Sequence, residues 1–221
     1  PKFLTTVSLW GKIYRVNQSI ILKFLKACSS ALIVAASIAS ITPAKAQEVE
    51  VGPYIGVAAG TGLPYEASGK ASGIKVEADG RTTFVGGIGL GYDFGNIRVE
   101  ANGYRSYLYV DEGKVFGRTF SVDEGDWGWG AGIDLEYDFH NDSKWAPYAG
   151  VGLTAGWGDD VDFEDVSWGT KATVGLAYEA SNKVDVYAEA VYDMDWAREV
   201  DGVDQDFAGQ FVFLGGLRIK L

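Results

Sequence analysis

The sequence predicts an all-β fold, an eight-stranded antiparallel up-and-down barrel preceded by a signal peptide. Three observations predict it. A basic and then apolar segment opens the chain, side chains alternate with period two from Gln47 onward, and short and long connections alternate between the apolar segments. The 221 residues therefore divide into a leader, 1–46, and a barrel, 47–221.

The leader differs from the rest of the chain in charge. Residues 1–46 contain six of the 19 Lys and Arg residues and none of the 30 Asp and Glu residues. Lys23 and Lys26 precede an apolar run over 29–41, and an Ala-x-Ala sequence ends at Ala46. This layout is typical of a signal peptide cleaved after Ala46. A membrane-spanning helix is the competing interpretation, but it needs roughly 20 apolar residues.

The mature chain is strongly acidic and has no thiol. Without the leader its net charge is −17, and this negative charge disfavours nucleic acid as a partner. The only cysteine, Cys28, precedes the apolar run of the leader, so the barrel can form no disulfide, as suits a chain exported to an oxidising compartment. Residues 1–21 precede an ordinary signal and are either a mis-set start or a longer basic leader.

Eight segments are predicted to be β-strands. In 127–139, Trp, Ala, Ile, Leu, Tyr and Phe occupy one face, whereas Gly, Asp and Glu occupy the other. Most of the segments are long enough for the ~9 to 11 residues with which a tilted strand crosses a bilayer. In order they are 52–61, 84–94, 97–104, 127–139, 145–157, 168–178, 184–196 and 211–221.

The connections fall into two alternating classes. Tight polar turns at 94–96, 140–144 and 180–183 carry the Gly or Asn that hairpins need. The remaining connections are predicted to be longer loops, at about 62–81, 105–125, 158–166 and 197–207. Short turns on one rim and long loops on the other are typical of a transmembrane barrel, whose closure removes aggregation-prone edge strands.

The Gly-rich face is predicted to point inward. Rows of glycine weaken a water-facing strand, but a narrow eight-stranded barrel needs small residues to leave room for a few large polar ones. The charged residues on this face, eight acidic and four basic, are expected to pair across the lumen. They are Arg98, Glu100, Asp134, Glu136, Lys171, Glu179, Asp185, Glu189, Asp193, Asp195, Arg218 and Lys220.

The apolar face is predicted to contact lipid, because aromatic residues flank it at both ends of the strands. Such girdles mark the two membrane interfaces. Near the long loops lie Trp127, Trp129, Trp157, Trp168 and Trp196, and near the short turns lie Trp145, Tyr92, Phe94, Tyr137, Phe139 and Tyr178. The alternative is a soluble lipocalin-like barrel that buries this apolar face.

The final strand, 211–221, and Gly-rich strands such as 87–92 and 147–153 resemble those of the small outer-membrane barrels, the opacity-antigen or OmpA-like group called the porin family. The resemblance covers 47–221. It implies export through the periplasm to the bacterial outer membrane, contact with its lipid and lipopolysaccharide, and insertion by the barrel-assembly machinery, which reads the last strand. Leu221 stands where the family usually ends in an aromatic residue.

No catalytic residue or cofactor site is predicted. The glycines of 87–91 recur every second residue within a strand, unlike those of a nucleotide-binding loop. The only histidine, His140, lies in a short turn, away from the long-loop rim where the barrel enzymes need one. The acidic loop at 159–165 is a candidate calcium site. Its ligands would be Asp159, Asp160, Asp162 and Glu164. The alternative is a solvated surface loop.

These features predict a structural or surface-interaction protein, adhesin-like or antigen-like, that displays four acidic extracellular loops to an unidentified ligand. The alternative is a narrow porin-like channel for small solutes or cations, because carboxylates outnumber cations on the inward face. Eight strands normally enclose a lumen filled by side chains, so lumen hydration distinguishes the two.

Overall fold

The computed structural model describes residues 51–139, 143–159, 166–196, 198–200, 203–206 and 208–221. The leader and its predicted cleavage site lie outside the described residues. No helix in the described ranges is long and apolar enough to cross a membrane. The strands are β1 (Gly52–Gly62), β2 (Pro64–Ala71), β3 (Ile74–Asp93), β4 (Ile97–Val115), β5 (Arg118–Asp138), β6 (Trp145–Gly158), β7 (Ser167–Ser181), β8 (Val184–Asp195), β9 (Arg198–Val200), β10 (Val203–Gln205) and β11 (Ala208–Lys220).

Eight of these strands close into a ring. The order is β1-β11-β8-β7-β6-β5-β4-β3, and β3 pairs again with β1. Every pair is antiparallel, and the ring follows chain order once β2, β9 and β10 are set aside. The predicted eight-stranded antiparallel up-and-down barrel is therefore confirmed.

Three of the predicted long loops contain paired strands, since 62–81 and 105–125 are β-hairpins and 197–207 holds the antiparallel strands β9 and β10. The segment 62–81 forms β2 and the start of β3, and 105–125 forms the ends of β4 and β5. Two-residue turns with positive φ join them, Ser72 (φ 50°) with Gly73 (82°) and Phe116 (51°) with Gly117 (71°). The loop prediction was wrong because strands that stand in water need no apolar face. The alternation of apolar and polar side chains is therefore lost there, although the backbone hydrogen-bond ladder continues.

The two hairpins form a sheet that projects beyond the ring. β10 pairs with β2 and with β9, which extends this projecting sheet sideways. Register shifts occur between Asp79 and Gly80, between Thr82 and Phe84, and between Val110 and Glu112, where the strands leave the barrel. Such bulges bend strands, and here they turn the projecting sheet away from the barrel wall.

The apolar face points outward. Ile88, Leu90 and Ile133 are 67%, 64% and 62% exposed, whereas the inward Arg98 and Arg218 are 4% and 3% exposed. A water-soluble barrel would reverse this arrangement, because exposing contiguous large apolar side chains to water is unfavourable. The exterior is therefore suited to hydrocarbon, and the soluble lipocalin-like alternative is excluded.

Aromatic side chains ring both ends of the apolar exterior. At the short-turn end, which carries the turns at 94–96 and 182–183, the rings of Trp145 and Tyr178 are 4.7 Å apart and those of Tyr137 and Phe139 are 5.1 Å apart. Tyr92 lies at this end beside Phe94. Exposed Trp127, Trp129, Trp168 and Trp196, with half-buried Trp157, lie at the opposite end, the long-hairpin end.

Candidate functional site: the barrel lumen

Tyrosines packed on glycines shape the lumen. On the inward face of four of the eight strand pairs, a tyrosine stands opposite a glycine whose missing side chain leaves space for the ring. A β-carbon at any of these glycines would lie 2.1 to 2.4 Å from an atom of the tyrosine. The pairs are Tyr54 with Gly91, Tyr104 with Gly130, Tyr148 with Gly175, and Tyr187 with Gly216.

Two arginines and two of these tyrosines form a stack toward the short-turn end. The guanidinium carbons of Arg98 and Arg218 both lie 4.8 Å from the ring centroid of Tyr148, and that of Arg218 lies 4.2 Å from the centroid of Tyr187. Tyr148 is only 1% exposed. Cations over aromatic faces attract strongly when desolvated, so these contacts stabilise an arginine–tyrosine stack that fills this part of the lumen.

Buried carboxylates neutralise the stack. Glu136 Oε2 accepts a hydrogen bond of 2.6 Å from Arg98 Nη2 and lies 3.5 Å from Arg218 Nη2. Asp138 Oδ2 lies 3.0 Å from Arg98 Nε. Because Arg218 belongs to β11 and Glu136 to β5, their contact crosses the lumen, whereas Arg98 and Glu136 are neighbours on paired strands.

A second cluster lies deeper in the barrel. Lys171 Nζ is 2.8 Å from Asp134 Oδ2, and the Asn102 side-chain amide donates to the same oxygen. Lys171 and Asp134 stand on β7 and β5, with β6 between them. At the short-turn mouth, Lys220 Nζ lies 3.6 Å from Asp185 Oδ2, and both side chains retain solvent contact.

The structure thus places all twelve predicted charged residues on the inward face, but in separate groups. Arg98, Arg218 and Glu136 meet in the stack, whereas Lys171–Asp134 and Lys220–Asp185 are separate pairs. Glu100, Glu189 and Asp193 line a cavity described below. Glu179 and Asp195 occupy inward positions on β7 and β8, opposite Asp185 and Gly169.

Sequence reasoning missed the tyrosines of this network and one of its carboxylates. Tyr148, Tyr187 and Tyr54 were not assigned to the lumen, and neither was Asp138 as a partner of Arg98. A signal for Tyr148 was available, because Tyr148, Gly150 and Gly152 share the parity of the inward face of β6. A single tyrosine in a Gly-rich row therefore marks a lumen aromatic.

A cavity of about 120 Å³ lies between the stack and the long-hairpin end. Its charged lining comprises five carboxylates, Glu100, Asp134, Glu136, Glu189 and Asp193, and two cations, Lys171 and Arg218. Val85, Val191 and Val212 form a buried apolar cluster in the same wall. The lumen is therefore closed at one end and acidic at the other.

The predicted calcium loop is described only in part. Asp160, Asp162 and Glu164 lie outside the described residues. Asp159 accepts a hydrogen bond of 2.6 Å from Arg105, whose guanidinium carbon stands 4.8 Å from the ring centroids of both Trp127 and Trp129. No group of three or more His, Cys, Asp and Glu in the described ranges is placed to hold a metal ion.

A family model described as the outer membrane protein beta-barrel domain matches residues 31–206. Among solved structures, the chain is similar to Neisserial surface protein A, with 22% identity, a TM-score of 0.51, and coverage of 77% of this chain and 97% of that one. It is also similar to OprG from Pseudomonas aeruginosa, with 17% identity, a TM-score of 0.52, and coverage of 80% and 99%. No curated protein matches the sequence. At these identities the solved structures show a shared fold.

Proposed function

The chain belongs to the outer membrane protein beta-barrel domain family and lies in the bacterial outer membrane, and we propose that it is a closed barrel whose role is surface contact. Its projecting sheet would present side chains to molecules outside the cell. The exterior of the barrel would contact outer-membrane lipid and lipopolysaccharide.

The length of the projecting sheet carries this proposal. Trp127 pairs with Tyr107 at the long-hairpin end, and the β4–β5 ladder continues to the pair of Arg118 with Val115. Trp127 lies nine positions after Arg118, which corresponds to about 30 Å of strand. A ladder of that length exceeds what is needed to connect two membrane strands, and it favours a role for the projecting surface itself.

Contacts between strands support a defined shape for the projecting sheet. Lys114 Nζ lies 2.7 Å from Asp79 Oδ2, and this hydrogen bond raises the pKa of Lys114. The hydroxyl of Ser68 on β2 donates to Asp206 at 2.9 Å. Exposed ion pairs contribute little to stability, so the ladder provides the rigidity and these side chains maintain the register.

Two observations weigh against other functions. The arginine–tyrosine stack fills the lumen with side chains that are 1% to 8% exposed, which opposes ion flow. We propose no catalytic role, because the only histidine of the sequence, His140, belongs to a predicted short turn and not to the long-loop rim. A narrow cation channel is the second candidate, because five carboxylates and two cations line the cavity.

Surface adhesion and conductance would distinguish these candidates. We would replace residues 111–123 by Asn-Gly, which joins the paired residues Val110 and Glu124 through a two-residue turn. Cells of a non-adherent Gram-negative strain that display the native chain should adhere to host-cell monolayers or matrix-coated surfaces, and the shortened chain should not. Equal adhesion by both chains, or steady single-channel currents from purified native protein, would contradict the proposal.

A further inference from the structure

Three carboxylates in the cavity have no cationic partner. Glu100, Glu189 and Asp193 form no ion pair within 4.0 Å with any cation of the described residues. Tyr148 donates a hydrogen bond of 2.7 Å to Glu189, and Thr154 donates one of 3.4 Å to Asp193. All three keep partial solvent contact inside the lumen, so a cation from solution can reach them.

A buried oxygen in the same wall also lacks a donor. Asp134 is 7% exposed, and its Oδ1 atom has no hydrogen-bond partner, although Oδ2 binds Lys171 and Asn102. The Oδ1 atom of Asn102 is likewise without a partner. Buried acceptors are normally satisfied, so this wall has acceptor capacity left for a ligand that donates.

The spacing of the cavity carboxylates does not suit a metal ion. Among the described residues, no three acidic side chains converge as metal ligands. Glu189 and Asp193 are four residues apart on β8, which places their Cα atoms about 13 Å apart. A compact ion cannot bridge such carboxylates, whereas a chain with an ammonium group at each end can.

The surface between the two carboxylates is apolar. Val191 lies midway between Glu189 and Asp193 on the inward face, and it packs with Val85 and Val212. Tyr104 packs against the same cluster and adds an aromatic face to the cavity lining. Contact with buried valines stabilises methylene groups because it removes apolar surface from water. Ammonium groups are stabilised by carboxylates and by aromatic faces.

We propose that the lumen cavity binds a linear aliphatic polyamine, with ammonium groups at Asp193 and at Glu189, and with methylene groups against Val191. The cavity's own cations, Lys171 and Arg218, remain paired with Asp134 and Glu136. This inference goes beyond surface contact and does not depend on it, because the binding groups lie inside the barrel.

Calorimetric titration of the full mature chain folded in detergent tests the site. Spermidine should bind saturably, whereas 1-butylamine and Mg²⁺ at the same ionic strength should not displace it at comparable concentration. Glu189→Gln and Asp193→Asn should each weaken spermidine binding by about tenfold or more, since each removes a charge-assisted hydrogen bond. The matched control, Glu124→Gln on the projecting sheet, removes the same charge outside the lumen and should change the Kd less than twofold.

Displacement of spermidine by Mg²⁺ or butylamine would overturn the proposal, because it would show general attraction to an acidic chain. Equal weakening by the control variant would overturn it for the same reason. Heat-modifiable gel mobility reports whether each variant folds. If the lumen variants do not fold, the proposal is tested by competition of Mg²⁺ and 1-butylamine with spermidine for the native chain.

Discussion

Tyr148 stands opposite Gly175 so closely that a β-carbon at Gly175 would lie 2.2 Å from Cζ of the tyrosine ring. The guanidinium carbons of Arg98 and Arg218 both lie 4.8 Å from the centroid of the same ring. The glycine therefore sets the position of the tyrosine, and the tyrosine sets the position of both arginines. Inward glycines in this barrel act as recesses for rings on the neighbouring strand.

Gly175→Ala is expected to lower the free energy of unfolding by about 1–3 kcal/mol, because the added methyl group must displace a buried ring. Gly103→Ala is the matched control, since the nearest atom to its β-carbon would be 3.9 Å away. Urea unfolding in lipid vesicles, followed by tryptophan fluorescence, measures both. Equal stabilities for the two variants would refute the recess role of Gly175.

Arg98→Met is expected to destabilise the barrel by about 3–5 kcal/mol, because Glu136 and Asp138 would be left buried with less compensation. Lys220→Met should cost less than about 1 kcal/mol, since its pair with Asp185 contacts solvent. The same unfolding assay compares them. The double variant Arg98→Met/Asp138→Asn, which leaves Glu136 paired with Arg218, should recover part of the loss, and a further loss would contradict this account.

Leu153→Arg places a charge on the outward face, where Leu153 is 55% exposed. If hydrocarbon covers that face, the change should cost about 2–4 kcal/mol near the bilayer midplane. Phe116→Arg, at the tip of the projecting sheet, introduces the same side chain outside the bilayer and should be nearly neutral. Vesicle refolding yields and unfolding midpoints report the difference, and similar values for both variants would argue against membrane contact at Leu153.

The topology can be tested with single cysteines, because the only native cysteine, Cys28, lies in the predicted leader. Phe116→Cys should react with a membrane-impermeant maleimide on intact cells. Asn182→Cys, in a short turn, should react only after the outer membrane is permeabilised. The reverse pattern would place the projecting sheet in the periplasm and would remove the basis for surface contact.

Leader processing is a further prediction from the sequence. Mass spectrometry of the exported protein should find Gln47 as its first residue, and Ala46→Phe should block cleavage because the enzyme site accepts small residues. Ala36→Leu, within the apolar run, is the control and should be processed normally. An exported barrel that retains the leader would contradict the predicted cleavage.

Strand positions and their faces were predictable because hydrocarbon outside and a crowded lumen inside impose period two on each strand. The exposed row Ile88, Leu90 and Tyr92 and the inward row Gly87, Gly89 and Gly91 are examples. In water this constraint disappears. The alternation therefore does not reveal the hairpins at Ser72-Gly73 and Phe116-Gly117, although each pair contains the glycine typical of a two-residue turn.

The sequence by itself determined the barrel, its outward apolar face and the charged residues of its lumen, since each follows from alternation within a single strand. Only the tertiary structure decided which charges meet. Arg218 reaches Glu136 across 82 residues of sequence, and Lys171 reaches Asp134 past an intervening strand. Such contacts depend on how the ring closes and on the register of every pair, and these are properties of the whole sheet that no single strand encodes.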